Sequence, residues 1–146
     1  MITANINRLE LTEFRTEQDP NQGCRATFPM FGALGTRNSA TVYFELDSGE
    51  HLGRHTDSEE ELLFIVDGEV EVSVGEETGR LEKGEIALVP KMVPHDLKNI
   101  GRGTAKVLGF FGAPHIVATF DNTWQLVGSN VVDTSQMAQQ AAEPKS

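Results

Sequence analysis

Cysteine occurs once in this chain of 146 residues, as Cys24, and tryptophan and tyrosine occur once each. A single thiol closes no internal disulfide and builds no thiolate metal cluster, so the fold has to rest on its apolar core. The compartment expected is the reducing cytoplasm. Basic residues are scarce too: 12 Lys and Arg stand against 22 Asp and Glu, giving a formal net charge of −10 and a pI of about 4.8. They are also scattered, with no two adjacent. So acidic a chain, without a basic patch, repels a duplex and an anionic bilayer alike, and neither nucleic acid nor membrane is expected as a partner. No apolar run approaches the length of a membrane span, and the opening residues, Met1 to Glu10, lack a basic start followed by an apolar stretch. Export is therefore not expected.

What is present suits one globular domain. Hydrophobic residues make up 38% and charged residues 23%, too apolar for a disordered acidic chain. At this length a single core buries about two-thirds of the surface that the unfolded chain exposes. Fourteen of the 22 carboxylates fall between Glu45 and Glu85, opposed there only by Arg54, Arg80 and Lys83. Such a run is either a solvated face or a source of cation ligands, and the strand pattern has to decide.

Glycines recur at intervals that suit short strands joined by turns. Between them lie Ala40 to Leu46, Leu62 to Val66, Glu69 to Val74, Ile86 to Val89, Thr104 to Phe111 and Ile116 to Phe120, each rich in branched and aromatic residues. Glu69 to Val74 alternates strictly, valines on one face and polar groups on the other. The expectation is an all-β chain, a barrel or sandwich of antiparallel strands. Residues 1–35 are expected to form N-terminal strands or an arm packed on a barrel spanning 36–120. Residues 121–146 form a C-terminal extension whose polar, Ala- and Gln-rich end makes a marginal helix or frays.

Two segments carry chemistry. One runs from Gly49 through His55, Asp57 and Glu61 to Gly68, the other from Gly84 through Pro90 and His95 to Asn99. On a strand His55 and Asp57 share a face, and Glu61 follows a tight polar turn that folds it back beside them. His95 supplies a ligand from a second segment. Two imidazoles with one or two carboxylates suit Fe(II), Mn(II), Zn(II) or Ni(II), and suit Ca²⁺ poorly. Asp57 also has an alternative role, capping the Ser58–Glu60 turn through backbone N–H groups.

These segments resemble the paired motifs of the cupin superfamily. Gly49, His55, Glu61 and Gly68 match the first motif in spacing, and Gly84, Pro90, His95 and Asn99 the second, with 15 residues between the motifs. The resemblance implies a small jelly-roll β-barrel of two antiparallel sheets with short terminal extensions, and a homodimer. It also implies one divalent transition metal per chain, Fe²⁺ favoured, with Mn²⁺, Zn²⁺ or Ni²⁺ as alternatives. The ligands carried over are His55, Glu61 and His95. The chain departs from the pattern twice: Asp57 stands where the family has its second histidine, and Met92 where it has a glycine. Asp57 makes the site harder and more anionic, as a fourth metal ligand or as a general base. Met92 alters a turn and the pocket mouth.

Strand parity from Glu61 turns Leu63 and Ile65 inward, and parity from Lys106 turns Ala105, Val107 and Phe111 inward. Phe28, Phe31, Phe44 and Trp124 are candidates for further apolar lining. His51, Leu63, Met92 and Phe111 are the residues expected at the substrate pocket, His51 as a partner behind the ligands. His115 is expected on a loop. An apolar cavity with one cation at its floor favours a small, largely apolar molecule bearing an oxygen donor, and no Lys or Arg cluster is placed to hold a sugar phosphate. The activity expected is a metal-dependent dioxygenase. The alternatives are a non-catalytic ligand-binding or sensor protein and a redox-neutral metal-dependent isomerase or lyase.

Overall fold

The computed structural model describes residues 1–137. Twelve strands run in chain order: β1 (Thr12–Arg15), β2 (Gly23–Met30), β3 (Ala40–Leu46), β4 (His55–Asp57), β5 (Glu61–Asp67), β6 (Glu69–Val74), β7 (Glu77–Glu82), β8 (Ile86–Val89), β9 (His95–Asn99), β10 (Ala105–Phe111), β11 (Val117–Trp124) and β12 (Ser129–Asp133). They form two antiparallel six-stranded sheets, ordered β1-β2-β3-β10-β5-β8 and β12-β11-β4-β9-β6-β7. From β3 to β11 each strand crosses to the facing sheet, except at the β6–β7 hairpin, and this alternation makes the jelly roll. A helical turn begins at Thr134, and the rest of the C-terminal stretch for which a helix or fraying is expected lies outside the described residues. Strand β11 carries regular structure past residue 120, where the sequence suggests the barrel ends.

The core forms where the inner faces meet. Along β5 burial alternates, with Glu61, Leu63 and Ile65 inside and Leu62 exposed. Strand β10 buries Ala105, Val107 and Phe111 against Leu46, Phe44 and Ala40 of β3. Leu97, Val70 and Val72 close the core from the other sheet. Burying one such side chain contributes about 1.5–3 kcal/mol, enough summed over the cluster to offset the ordering of a chain without disulfides. The turn from β5 into β6 depends on Gly68, whose φ is +90° and where a Cβ would meet the Ala105 Cα at 2.9 Å.

Strands β7, β9 and β12 escape the sequence reading, and β4 enters it only through the shared face of His55 and Asp57. Strand β4 is only the tripeptide His-Thr-Asp, and β9 reads His-Asp-Leu-Lys-Asn; neither has an apolar run. Both are strands because they lie between neighbours, β4 between β11 and β9, and β9 between β4 and β6. These are the two strands that carry the histidines.

A candidate metal centre at the barrel floor

His55 of β4 and His95 of β9 are direct cross-strand partners, so their imidazoles emerge side by side on the inner face, ring centroids 4.1 Å apart. Asp57, two residues along β4, shares that face. Glu61 enters from β5 in the opposite sheet. His95 Nε2 lies 3.1 Å from Asp57 Oδ2 and 3.5 Å from Glu61 Oε1, and His55 Nε2 lies 3.7 Å from Asp57 Oδ2. All four residues are buried. His55, Asp57 and His95 each offer a ligand atom within 4.8 Å of the others.

The tautomers are set by the backbone. His55 Nδ1 lies 2.7 Å from the Gly53 carbonyl and His95 Nδ1 lies 2.9 Å from the Val93 carbonyl. Each carbonyl can only accept, so each Nδ1 holds its hydrogen, and Nε2 is the atom turned towards Asp57. Although His95 Nε2 and Asp57 Oδ2 are close, the pair does not align as a hydrogen bond, and both atoms are buried without a partner. Orphaned atoms of this kind are costly unless something bonds them. A divalent cation satisfies both, and the nitrogen and oxygen donors suit a first-row metal. The Asp57 carboxylate points to the imidazoles, and its orphaned Oδ2 does not cap the following turn.

Electrostatics agree with that fit. Burial lowers the His55 pKa, keeping the ring neutral. Burial opposes charge on His95 as well, but the Asp57 and Glu61 carboxylates outweigh it and raise its pKa. Burial raises the Glu61 pKa, and nearby Asp57 adds to this against the pull of His95. Without a cation His95 and Glu61 therefore hold protons more tightly than free side chains do, and a metal would displace them.

Above the ligands sits a cavity of about 80 Å³, walled by Phe14, Phe28, Phe44, Phe111, Phe120 and Trp124, among others, with no Lys or Arg in its lining. Phe120, the β11 partner of His55, stacks on its ring at 4.4 Å and 19°, and Trp124 packs edge-on against Phe120 at 5.0 Å. The cavity shares Phe14, Ala26, Phe28 and Val132 with a wider groove of about 590 Å³ beside β12. Glu61 fits because β10 carries Gly109, two residues from its register partner Phe111: a Cβ there would collide with Glu61 Oε2.

The four residues expected at the pocket separate. Phe111 lines the cavity, whereas Leu63 is buried in the core. Met92 is not in the cavity wall: it stands 56% exposed on the turn before β9, with φ at 62°. It occupies the left-handed conformation that the glycine of the family pattern would adopt freely, and its N–H bonds the Asp57 carbonyl, tying that turn to β4. His51 lies outside the barrel, because Gly53, at φ +104°, turns the chain between it and His55. Its ring nitrogens sit 2.7 Å from Asp96 Oδ2 and 2.7 Å from Asp19 Oδ2. The Asp96 contact, joined by Asp19, outweighs partial burial and pushes its pKa up to about 9. Of the further apolar candidates, Phe28, Phe44 and Trp124 line the cavity, while Phe31 packs instead against Phe28 and His115. His115 is on a loop, its Nδ1 3.2 Å from the Thr134 hydroxyl. Sequence reasoning missed Phe120 and Gly109, whose placement depends on cross-strand register.

Comparison with known proteins agrees with this geometry. The family model described as a cupin domain matches residues 42–111. An uncharacterized protein of Streptomyces coelicolor, SCO3923, is 29% identical over 109 residues, which cover 75% of this chain and 98% of that protein. Among solved structures, the Cnp3 cupin domain of Schizosaccharomyces pombe superposes with a TM-score of 0.62 at 17% identity, over 77% of this chain and 74% of that one. The oxalate decarboxylase of Lactobacillus farciminis, solved as a formate complex, gives a TM-score of 0.62 at 16% identity over 92% of this chain. This chain spans only 36% of that enzyme's chain. With both motifs in register, a jelly-roll core and two histidines converging at its floor, the chain has the cupin fold and carries a cupin domain over residues 42–111.

Proposed function

We propose that this protein is a metal-dependent enzyme of the dioxygenase type, acting on a small, largely apolar molecule that carries an oxygen donor. The observation behind this reading is the pair of orphaned buried atoms, His95 Nε2 and Asp57 Oδ2, facing His55 Nε2 beneath an aromatic cavity. His55, Asp57 and His95, with Glu61 beside them, would hold one Fe²⁺, Mn²⁺, Zn²⁺ or Ni²⁺. Bound there, a redox-active ion supplies O₂ activation and polarises the substrate oxygen. The chain's own residues do the rest. Phe120 and Trp124 exclude water and stack against a flat substrate, and Phe111 closes the wall. Glu61, or Asp57 when it is not ligating, accepts the proton from an acidic substrate oxygen or carbon. A dianion such as oxalate has no Lys or Arg to meet in this cavity, which argues against the substrates of the oxalate enzymes that share the fold.

Elemental analysis of protein purified without a metal-binding tag, followed by oxygen-uptake assays with diketones, flavonols and hydroxy acids, tests the reading. One equivalent of transition metal, O₂ consumption with such a substrate and loss of both in His95→Ala are expected. Absence of stoichiometric metal, with His95→Ala unchanged in stability and ligand binding, overturns it. Turnover without O₂ in the Zn²⁺ form replaces it with a redox-neutral isomerase or lyase, and metal-dependent melting without turnover replaces it with a sensor.

We further propose a homodimer built on the outer face of β10, β5 and β8. Phe110, Leu62 and Leu88 form one cross-strand row there, and Leu108, Phe64 and Ile86 the next. Leu62, Ile86, Leu88 and Phe110 are exposed, and an apolar patch on a sheet edged by β8 suits a second copy of the same face. A monomer at micromolar concentration by sedimentation refutes the dimer.

A further inference from the structure

The metal ligand His55 does not stand on its strand alone. Its Nδ1–H donates to the Gly53 carbonyl at 2.7 Å. The Gly53 N–H donates to Asp96 Oδ1 at 2.8 Å, and Asp96 Oδ2 faces His51 Nδ1 at 2.7 Å. His51 Nε2 in turn faces Asp19 at 2.7 Å. The same Leu52–Gly53 peptide is held at its other end, since the Gln22 amide donates to the Leu52 carbonyl at 3.3 Å and its Oε1 accepts from Asn122 Nδ2 at 2.8 Å. Gly53 has no freedom to compensate: a Cβ there would run into the Gln22 side chain, and φ is +104°. Asp96 follows His95 on β9, so alternation sends its side chain to the outer face while His95 points inward. The outer end of the chain of contacts opens into a polar groove of about 300 Å³ that includes Asp19, His51, Glu71, Asp96 and Lys98 in its wall.

We propose that Asp96, backed by His51 and Asp19, is a positioning residue for the metal centre: by holding the Leu52–Gly53 peptide it places Gly53, whose carbonyl, on the next peptide, fixes the tautomer and ring orientation of His55 from outside the barrel. This rests on the reading of His55 as a metal ligand. A hydrogen-bonded partner behind a ligating imidazole normally changes metal affinity by about 10–100-fold. Here the partner is the Gly53 carbonyl, and Asp96 holds the peptide on the other side of the Gly53 Cα. Asp96→Ala removes the acceptor for the Gly53 N–H, whereas Asp96→Asn keeps a carbonyl oxygen in its place.

Two measurements test the assignment, both made on full-length protein with circular dichroism to verify folding. In the first, Co²⁺ is titrated into metal-free protein, and its visible d–d bands report affinity and coordination. Asp96→Ala is expected to bind Co²⁺ about 10-fold or more weakly with altered bands, and Asp96→Asn to stay within about 3-fold of the unaltered chain. Glu71→Ala, in the same groove but outside the relay, is expected to leave both unchanged. Unaltered affinity and bands in Asp96→Ala overturn the proposal. In the second, long-range ¹H–¹⁵N spectra of the metal-free imidazoles read the His55 tautomer directly. Asp96→Ala is expected to mix the two tautomers, and a ring that remains purely Nδ1–H overturns the proposal. If the unaltered chain binds no Co²⁺, the metal reading fails on its own, and the tautomer spectra still decide the relay.

Discussion

Gly109→Ala adds one methyl group at the point where the two sheets supply the metal centre. Val107 and Phe111 flank Gly109 on β10 and are buried, so residue 109 faces inward with them. The new Cβ would press on Glu61 Oε2 and lie 2.9 Å from Val42 Cγ1. Overpacking of this kind costs about 1–3 kcal/mol, because a close-packed interior has little room to give. Replacing glycine recovers about 0.5–1 kcal/mol of unfolded-state entropy, since the φ here is not one that demands glycine. The net loss for the metal-free protein is then about 1–2 kcal/mol. Loss of metal binding comes on top. Metal at one hundred times its Kd stabilises the folded chain by about 2.7 kcal/mol, and a tenfold loss of affinity from a displaced Glu61 cuts this to about 1.4 kcal/mol. Urea denaturation with and without metal separates the two quantities, and Gly79→Ala serves as the control, because nothing lies within 4 Å of a Cβ there. Metal-free stability within about 0.5 kcal/mol of the unaltered chain would refute the packing argument. A loss of metal-free stability with an unchanged metal increment would show that Glu61 is not a ligand.

Met92→Gly is expected to stabilise the protein by about 0.5–1 kcal/mol in urea denaturation, since the left-handed conformation costs a side chain about 1–2 kcal/mol and glycine returns part of that as entropy. The His51 pKa, raised from 6.5 to about 9, gives a stability contribution fully present below pH 6.5 and lost as pH rises through 9. Its size is about 2–3 kcal/mol, and urea midpoints from pH 6 to 9.5 should lose this slope in His51→Gln. The His95 pKa, raised to about 10 by Asp57 and Glu61 against the opposing effect of burial, means that a proton competes with the metal across the neutral range. Metal affinity should therefore rise about tenfold per pH unit for each proton released, and calorimetry in two buffers of different ionisation enthalpy counts those protons. An affinity independent of pH between 6 and 8 contradicts the prediction.

The eight spaced positions from Gly49 to Asn99 were enough to expect that His55, Glu61 and His95 converge, because a jelly roll puts its sequence-distant motifs on neighbouring strands. Ala40–Leu46, Glu69–Val74 and Ile86–Val89 match the sequence expectation residue for residue. Strand β9 was not legible and β4 was legible only through the shared face of His55 and Asp57, because their pairing depends on the neighbours around them and their sequences are polar. Parity from Glu61 found Leu63 and Ile65. It failed for His51, where the positive φ of Gly53 reset the register. Asp19, Asp96 and Phe120 gave no local signal, for each meets the site through a partner more than 30 residues away. Met92 was visible as a departure, but only backbone geometry shows that it kept the conformation of the glycine it replaces.

The scarcity of tryptophan has an optical consequence. Trp124 is the only indole in the chain, is 2% exposed, and packs edge-on against Phe120, which stacks on His55. Its emission therefore originates inside the cavity, one ring away from a ligand to the metal, and no second indole contributes background. A paramagnetic ion at the floor would quench that emission, and a substrate entering between the aromatic walls would shift its wavelength. The protein carries its own fluorophore for occupancy of the centre, and no label is needed to follow either event in real time.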